Sequence, residues 1–99
     1  MRAIWNDKII AEAKKDQLIY IEGNWYFPPK ALKKEYFKPK DKHTACFWKG
    51  QACYYQIDVD GVVNEDGAWY YPELKDSAIG TVKKDFTNYV GFWHGVEVR

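Results

Sequence analysis

The chain has 99 residues, of which 46% are hydrophobic and 29% charged, with a formal net charge of +1 at pH 7. This length predicts a single domain over residues 1–99, because it provides too little chain for a second hydrophobic core. The small net charge does not indicate a general polyanion-binding protein, and no apolar run reaches the ~20 residues that span a bilayer.

The first part of the chain predicts short strands joined by tight turns. Residues 3–6 and 8–13 are expected to form two strands around an Asn6-Asp7 turn, since both residues tolerate turn backbones. Residues 17–22 predict a clearer strand, because apolar residues recur there at the two-residue period of a sheet. A turn at Gly23-Asn24 is expected to follow.

Prolines and lysines mark the next segment. Pro28-Pro29 predicts the start of one short helix over residues 30–36, since proline fits the first turn of a helix but not its interior. Pro39 is expected to close this region. Six lysines lie between Pro28 and His43, which gives the segment a local charge of +4. The basic region Lys30–Lys42 is therefore either a solvated surface or a docking surface for a protein partner.

The second half of the chain predicts an antiparallel hairpin. Residues 52–58 place their side chains alternately on two faces, as a strand does. Asp60-Gly61 is a two-residue hairpin signal that requires positive φ. Asn64–Gly67 is expected to form a second turn before residues 68–71. Residues 76–84 favour a helical turn broken at Gly80.

Residues 88–98 favour one or two closing strands. Many short strands with few helices predict a mainly β fold. We expect a small antiparallel bent-sheet or barrel-like (tent-like) domain with one or two short helices. A sheet of this size must curl to bury one face, and curling leaves a concave side.

Three segments combine aromatic rings with polar groups, namely Glu22–Pro28, Thr44–Gly50 with Tyr54-Tyr55 after it, and Ala68–Pro72. Together they resemble the bacterial domain-of-unknown-function family 427 over nearly the whole chain. The resemblance implies an all-β, tent- or barrel-shaped domain with polar residues in a cleft, and it implies no established reaction. The chain departs from the family pattern at Phe47, where proline is usual, and after Pro72, where a second proline is missing.

Cys46 is the candidate nucleophile of the chain. A neighbouring Lys or protonated His can lower a cysteine pKa enough to give a thiolate, and His43 and Lys49 are close in sequence. Residues three apart on a strand point to opposite faces, so closeness in sequence is not contact. A structural or pocket-lining role for Cys46 therefore stays open beside a catalytic one. Cys53 is expected to be a core residue.

Two carboxylates are candidates for a site. Glu22 follows an apolar strand, where it could accept a hydrogen bond from a ligand, act as a general base, or simply cap the turn in water. Glu35 is expected mainly at the surface of the short helix, and the family resemblance adds a role in the site.

The tryptophans and tyrosines of the three segments could line a cleft or belong to the core. Tyr54 and Tyr55 are adjacent on a strand, so at most one of them faces a given cleft. The candidate ligand-binding set gathers the polar and aromatic residues of these segments: Glu22, Asn24, Tyr26, Glu35, Cys46, Trp48, Lys49, Tyr54, Trp69 and Tyr71.

These residues favour a domain that binds a small polar ligand in a concave, aromatic-lined cleft. An enzyme that uses Cys46 or Glu22 is one alternative, and a protein-interaction module that uses the lysine-rich short helix is another. No cofactor is expected. No metal site is expected either, since zinc-type spacings are absent among the Cys and His residues.

Nucleic acid is not an expected partner, because the lysines lie outside the aromatic motifs. Membrane association is not expected. A cytoplasmic protein is expected, since residues 1–6 lack the features of a signal peptide and both cysteines would then stay reduced.

Overall fold

Turn-forming residues divide the chain into short extended segments, and the computed structural model describes all of residues 1–99. The only α-helix, α1, spans Asp76–Val82, and single 3-10 turns occur at Lys15–Gln17, Pro29–Ala31 and Lys34–Tyr36. No helix has the length and apolar character needed to cross a bilayer. The nine strands are β1 (Arg2–Trp5), β2 (Lys8–Glu12), β3 (Ile19–Ile21), β4 (Asn24–Tyr26), β5 (Phe37–Cys46), β6 (Gly50–Val59), β7 (Val62–Tyr70), β8 (Val90–Phe92) and β9 (Glu97–Val98).

The strands form three antiparallel sheets with the orders β2-β1-β9, β3-β4 and β5-β6-β7-β8. Phe27, directly after β4, exchanges two backbone hydrogen bonds of 2.8 Å with Val90 in β8. This bridge attaches the β3–β4 hairpin to the edge of the four-stranded sheet. The mainly β, antiparallel fold is confirmed, and its sheets are not closed into a barrel.

Strand β6 lies between two hydrophobic cores. Ile57 and Val59 on one of its faces are fully buried in the first core. Ala52 and Tyr54 on the other face belong to the second core, which also contains the β3–β4 hairpin. The two-residue period of the sequence therefore assigns each face of β6 to a different core.

The prediction of one helix over residues 30–36 is wrong. The chain makes two 3-10 turns there, separated by extended backbone at Leu32 and Lys33. Lys33 donates its backbone N–H to the carbonyl of Ile10 at 2.8 Å, and Leu32 bridges to Ala11. Pairing with β2 thus takes the backbone N–H of Lys33, which a continuous helix would use.

Proline at position 39 does not end this region, as the sequence suggested, but lies within β5. Because β5 is an edge strand that pairs only with β6, a missing N–H can face outward without breaking the ladder.

The turn expected at Asn64–Gly67 is also wrong, because these residues belong to β7. The register changes here from Ile57 opposite Asn64 to Tyr55 opposite Ala68, so β7 holds two extra residues in a bulge. Asn, Asp and Gly suit a bulge as well as a turn, and sequence alone does not separate the two.

Three turn and helix boundaries complete the comparison. The Asp60-Gly61 hairpin is confirmed, with φ of 52° and 82°. The turn expected at Gly23-Asn24 lies one residue earlier, at Glu22-Gly23. Gly80 does not break α1, which continues to a left-handed residue at Lys83.

Replacing Gly91 with Ala should lower the free energy of unfolding by about 1–3 kcal/mol, because the packed indole of Trp69 leaves no room for a side chain at this position. An added Cβ would lie 2.6 Å from ring carbon Cζ2 of Trp69. Urea unfolding measures the change. Gly80→Ala is the control, since no atom lies within 4 Å of its Cβ position. It should raise stability by about 0.5–1 kcal/mol as an ordinary helix substitution. Equal effects of the two changes would contradict this packing.

Candidate functional site

A hollow of about 200 Å³ opens where the β3–β4 hairpin meets the four-stranded sheet. We call it the aromatic cleft. Four strands and three connecting segments supply its lining, so it depends on the tertiary fold and not on one local motif. Its lining residues are Asn24, Tyr26, Thr44, Lys49, Ala52, Tyr54, Trp69, Tyr71 and Trp93.

Trp69 forms the back wall of the aromatic cleft. Its indole packs across Gly91 on the neighbouring strand, and its Nε1 donates a hydrogen bond of 3.0 Å to the hydroxyl of Tyr26. The two rings meet edge to face, with centroids 5.9 Å apart and planes at 89°. Burial raises the pKa of Tyr26, so its hydroxyl stays protonated and can act as a donor.

Lys49 provides the charge of the aromatic cleft. Its side chain is only 8% exposed, and its Nζ donates a 2.5 Å hydrogen bond to Oε1 of Glu22. The ammonium also lies 5.0 Å from the ring centre of Trp48 and 5.3 Å from that of Tyr71. These rings add cation–π attraction to the ion pair.

The environment keeps Lys49 charged. Burial of the ammonium opposes its charge, but its hydrogen bond to the Glu22 carboxylate and its attraction to the oxygens of Tyr26 and Tyr71 outweigh this effect. The net effect raises the pKa of Lys49 above its ordinary value of 10.5. A buried, permanently charged donor is thus available at the rim of the cleft.

Glu22 reaches Lys49 from a constrained turn. Glu22 and Gly23 have φ of 50° and 85°, the positive values that a tight two-residue hairpin requires. Asn, Asp or Gly is usual at the first of these positions, and a left-handed conformation costs other residues ~1–2 kcal/mol. The ion pair with Lys49 is one interaction that offsets this strain.

The remaining walls carry hydroxyl groups on aromatic rings. Burial raises the pKa of Tyr71 to about 12, so this tyrosine is a neutral donor at physiological pH. The hydroxyls of Tyr54 and Thr44 are 2.8 Å apart. Trp93 closes this side by stacking on Tyr54, with ring centroids 6.5 Å apart.

Comparison with family models decides where the chain belongs. The family described as a domain of unknown function (DUF427) matches residues 1–98. The chain belongs to this family. No curated protein matches the sequence. The predicted resemblance to the DUF427 family is thereby confirmed.

In this DUF427 chain, six of the ten predicted site residues line the aromatic cleft. Of the rest, Glu22 joins through its ion pair with Lys49, and Trp48 lies beside the same ammonium. The six lining residues are Asn24, Tyr26, Lys49, Tyr54, Trp69 and Tyr71.

Cys46 packs half-buried against the second core. Glu35 does not line the aromatic cleft. It lies exposed on the Lys34–Tyr36 turn, which contacts β5 and β6. The pair Tyr54-Tyr55 divides as a strand requires: Tyr54 lines the cleft, and Tyr55 packs on Phe37 on the other face.

Three lining residues were missed by sequence reasoning, namely Thr44, Ala52 and Trp93. Thr44 is two residues before Cys46 on β5, so the strand period could have placed it on the same face. Trp93 carried no such signal. It follows β8 and is positioned by hydrogen bonds of its backbone N–H to Gly67 and of its indole to the Asp66 carbonyl.

His43 contacts a different cysteine from the one considered first. Its Nδ1 lies 3.1 Å from Sγ of Cys53, the residue directly opposite on β6. Cys53 is buried, as expected of a core residue, but it also faces a cavity. No group of three or more His, Cys, Asp or Glu side chains is arranged to hold a metal ion.

The basic region Lys30–Lys42 is partly neutralised within the chain. Lys40 and Lys42 form ion pairs of 2.7–3.0 Å with carboxylates in the β7 bulge. Hydrogen bonds from Lys42 and Lys40 lower the pKa of Asp66. Two of the lysines in this region therefore form ion pairs that connect β5 to β7.

Glu22→Gln should lower the free energy of unfolding by about 1 kcal/mol at pH 8, a small value because Glu22 is 55% exposed. A lysine pKa that is raised on folding contributes stability below its unfolded value and loses it as pH rises through the folded value. The difference between the wild type and the variant should therefore stay constant up to pH 10 and shrink above the ordinary pKa of 10.5. Urea unfolding at several pH values measures it.

Glu12→Gln serves as the control, since it removes the carboxylate of the exposed Arg2–Glu12 pair. It should leave stability nearly unchanged at every pH. If Glu22→Gln behaves like this control, the ion pair at the cleft contributes nothing.

Proposed function

We propose that this DUF427 domain binds a small polar ligand in the aromatic cleft. The observation that carries the proposal is the position of Lys49, a nearly buried ammonium among aromatic rings at the rim of a hollow. Burying a charged group costs desolvation free energy, and a purely structural core avoids this cost with apolar side chains. Pockets that combine apolar walls with a few placed polar groups are typical ligand sites.

The charge balance of the cleft favours a neutral or zwitterionic ligand. Glu22 compensates Lys49, so the pair offers one donor and one acceptor with no net charge. The Tyr71 hydroxyl and the Asn24 amide supply further hydrogen-bond partners along the same lining.

The size of the cleft restricts the ligand further. A volume of about 200 Å³ is smaller than the ~300–1,000 Å³ of most drug-sized pockets. The apolar walls are rings of Trp69, Tyr54 and Trp93, which suit the flat face of a cyclic compound. A compact compound with one ring and a few polar groups is the class that we propose.

Glu22 supports this function through its backbone. A long side chain in a left-handed turn position is a strained choice, and strain of this kind is concentrated at functional sites. Glycine at this position would relieve the strain while removing the carboxylate. Glu22→Gly should therefore weaken ligand binding while it leaves stability nearly unchanged, because the relieved strain offsets the lost ion pair.

A thermal-shift screen of neutral and zwitterionic ring compounds should yield at least one that raises Tm by several degrees. A ligand at 100 times its Kd adds about 2.7 kcal/mol of stability. Lys49→Met and Tyr71→Phe should each weaken that ligand at least tenfold, since each keeps the packing and removes a polar tip. Glu22→Gly should weaken it as well while its own Tm stays near that of the wild type.

Matched controls are available outside the aromatic cleft. Lys38→Met in β5 and Tyr20→Phe change exposed residues of the same types and should leave affinity unchanged. A screen without any stabilising compound would contradict the proposal, as would a ligand whose affinity is the same in Lys49→Met and in Lys38→Met.

A further inference from the structure

The largest cavity of the chain is separate from the aromatic cleft. It has a volume of about 500 Å³ and lies between the start of β6 and the segment that follows β7. We call it the thiol cavity. His43, Gly50, Cys53, Glu73 and Lys75 are among the residues that line it.

Backbone contacts hold the wall of the thiol cavity in place. Lys75 donates its backbone N–H to the carbonyl of Lys49 at 3.1 Å, and its Nζ donates to the carbonyl of Phe47 at 2.5 Å. Gly50 has φ of 128°, and a side chain there would lie 2.8 Å from the backbone oxygen of Glu73. The close approach that forms this wall therefore requires glycine.

The cavity contains a cysteine with a base beside it. Cys53 and His43 are register partners on β6 and β5, and Nδ1 of His43 lies 3.1 Å from Sγ of Cys53. On the other side of the imidazole, Nε2 lies 3.8 Å from Oδ1 of Asp41. A thiol in contact with a base is the arrangement that activates cysteine. Asp41 is fully exposed and beyond hydrogen-bond distance, so it does not orient the imidazole.

Cys53 and His43 differ in their exposure to solvent. Cys53 is 8% exposed, and burial raises the pKa of its thiol, so the sulfur is protonated until a base takes the proton. The His43 side chain is 44% exposed and can pass a proton to water. Cys46, the other cysteine, has no histidine contact, so the reactive arrangement belongs to Cys53 alone.

We propose that Cys53 is a thiol–disulfide exchange site for low-molecular-weight disulfides that enter the thiol cavity. Nδ1 of His43 accepts the thiol proton while Sγ of Cys53 attacks one sulfur of the disulfide. A bond forms between Sγ and that sulfur, and the S–S bond of the small molecule breaks. The second half leaves as a thiolate and takes a proton from His43 or from water, so no other oxidant is needed.

The proposal is independent of the ligand site. Cys53 lies on the opposite face of β6 from Tyr54, which lines the aromatic cleft. Loss of thiol reactivity would leave ligand binding intact, and the reverse also holds.

The test uses Cys46→Ala, in which Cys53 is the only cysteine, and the neutral probe 2-hydroxyethyl disulfide at pH 7. Intact mass measures the rate at which one half of the probe becomes attached. Folded protein should react faster than the same chain unfolded in urea. Adding His43→Gly should lower the rate of probe attachment in the folded protein at least tenfold, because the base is lost. Free imidazole should restore the rate, which a merely structural role for His43 would not allow.

His94→Gln, which changes the only other histidine, is the matched control and should leave the rate unchanged. Circular dichroism and Tm confirm that each variant is folded, and His43→Gln replaces His43→Gly if the glycine variant is not. Folded Cys53 that reacts no faster than the unfolded chain would overturn the proposal. Equal rates with and without His43 would overturn it as well.

Discussion

The hydrogen bond from the Trp69 indole to the Tyr26 hydroxyl fixes the β3–β4 hairpin against the four-stranded sheet. A buried hydroxyl without its partner would cost the fold about 1–3 kcal/mol, so the two groups must meet. Gly91 makes room for the indole that donates this bond. This contact positions the hairpin side of the aromatic cleft against the sheet side. It thereby also brings Glu22 on the hairpin turn within hydrogen-bond distance of Lys49.

The fold could be predicted largely from local rules, and the errors have physical causes. Alternation in β6 and the Asp60-Gly61 turn are local properties, and both appear in the structure as expected. The segment after Pro28-Pro29 was mispredicted because Lys33 finds its hydrogen-bond partner in β2, far away in the sequence. The bulge at Asn64–Gly67 was mistaken for a turn because the same residue types serve both.

The candidate site could be predicted as a set of residues but not as a set of contacts. Family resemblance and mixed polar and aromatic composition named the residues, and most of them converge. The pair of Glu22 and Lys49 is separated by 27 positions, and no spacing rule predicts such a contact. His43 and Cys53 become neighbours only through the register of β5 on β6, which a bulge in that ladder shifts.

One measurement tests the central claim, that the hairpin held by Trp69 completes a binding site. It is a crystal structure of the chain soaked with a mixture of small neutral and zwitterionic ring compounds. The account predicts one compound in the aromatic cleft, its ring against Trp69 or Tyr54 and a polar group within hydrogen-bond distance of Lys49. A cleft that stays empty while compounds occupy other surfaces would contradict it, as would a lysine side chain at position 49 turned out to solvent.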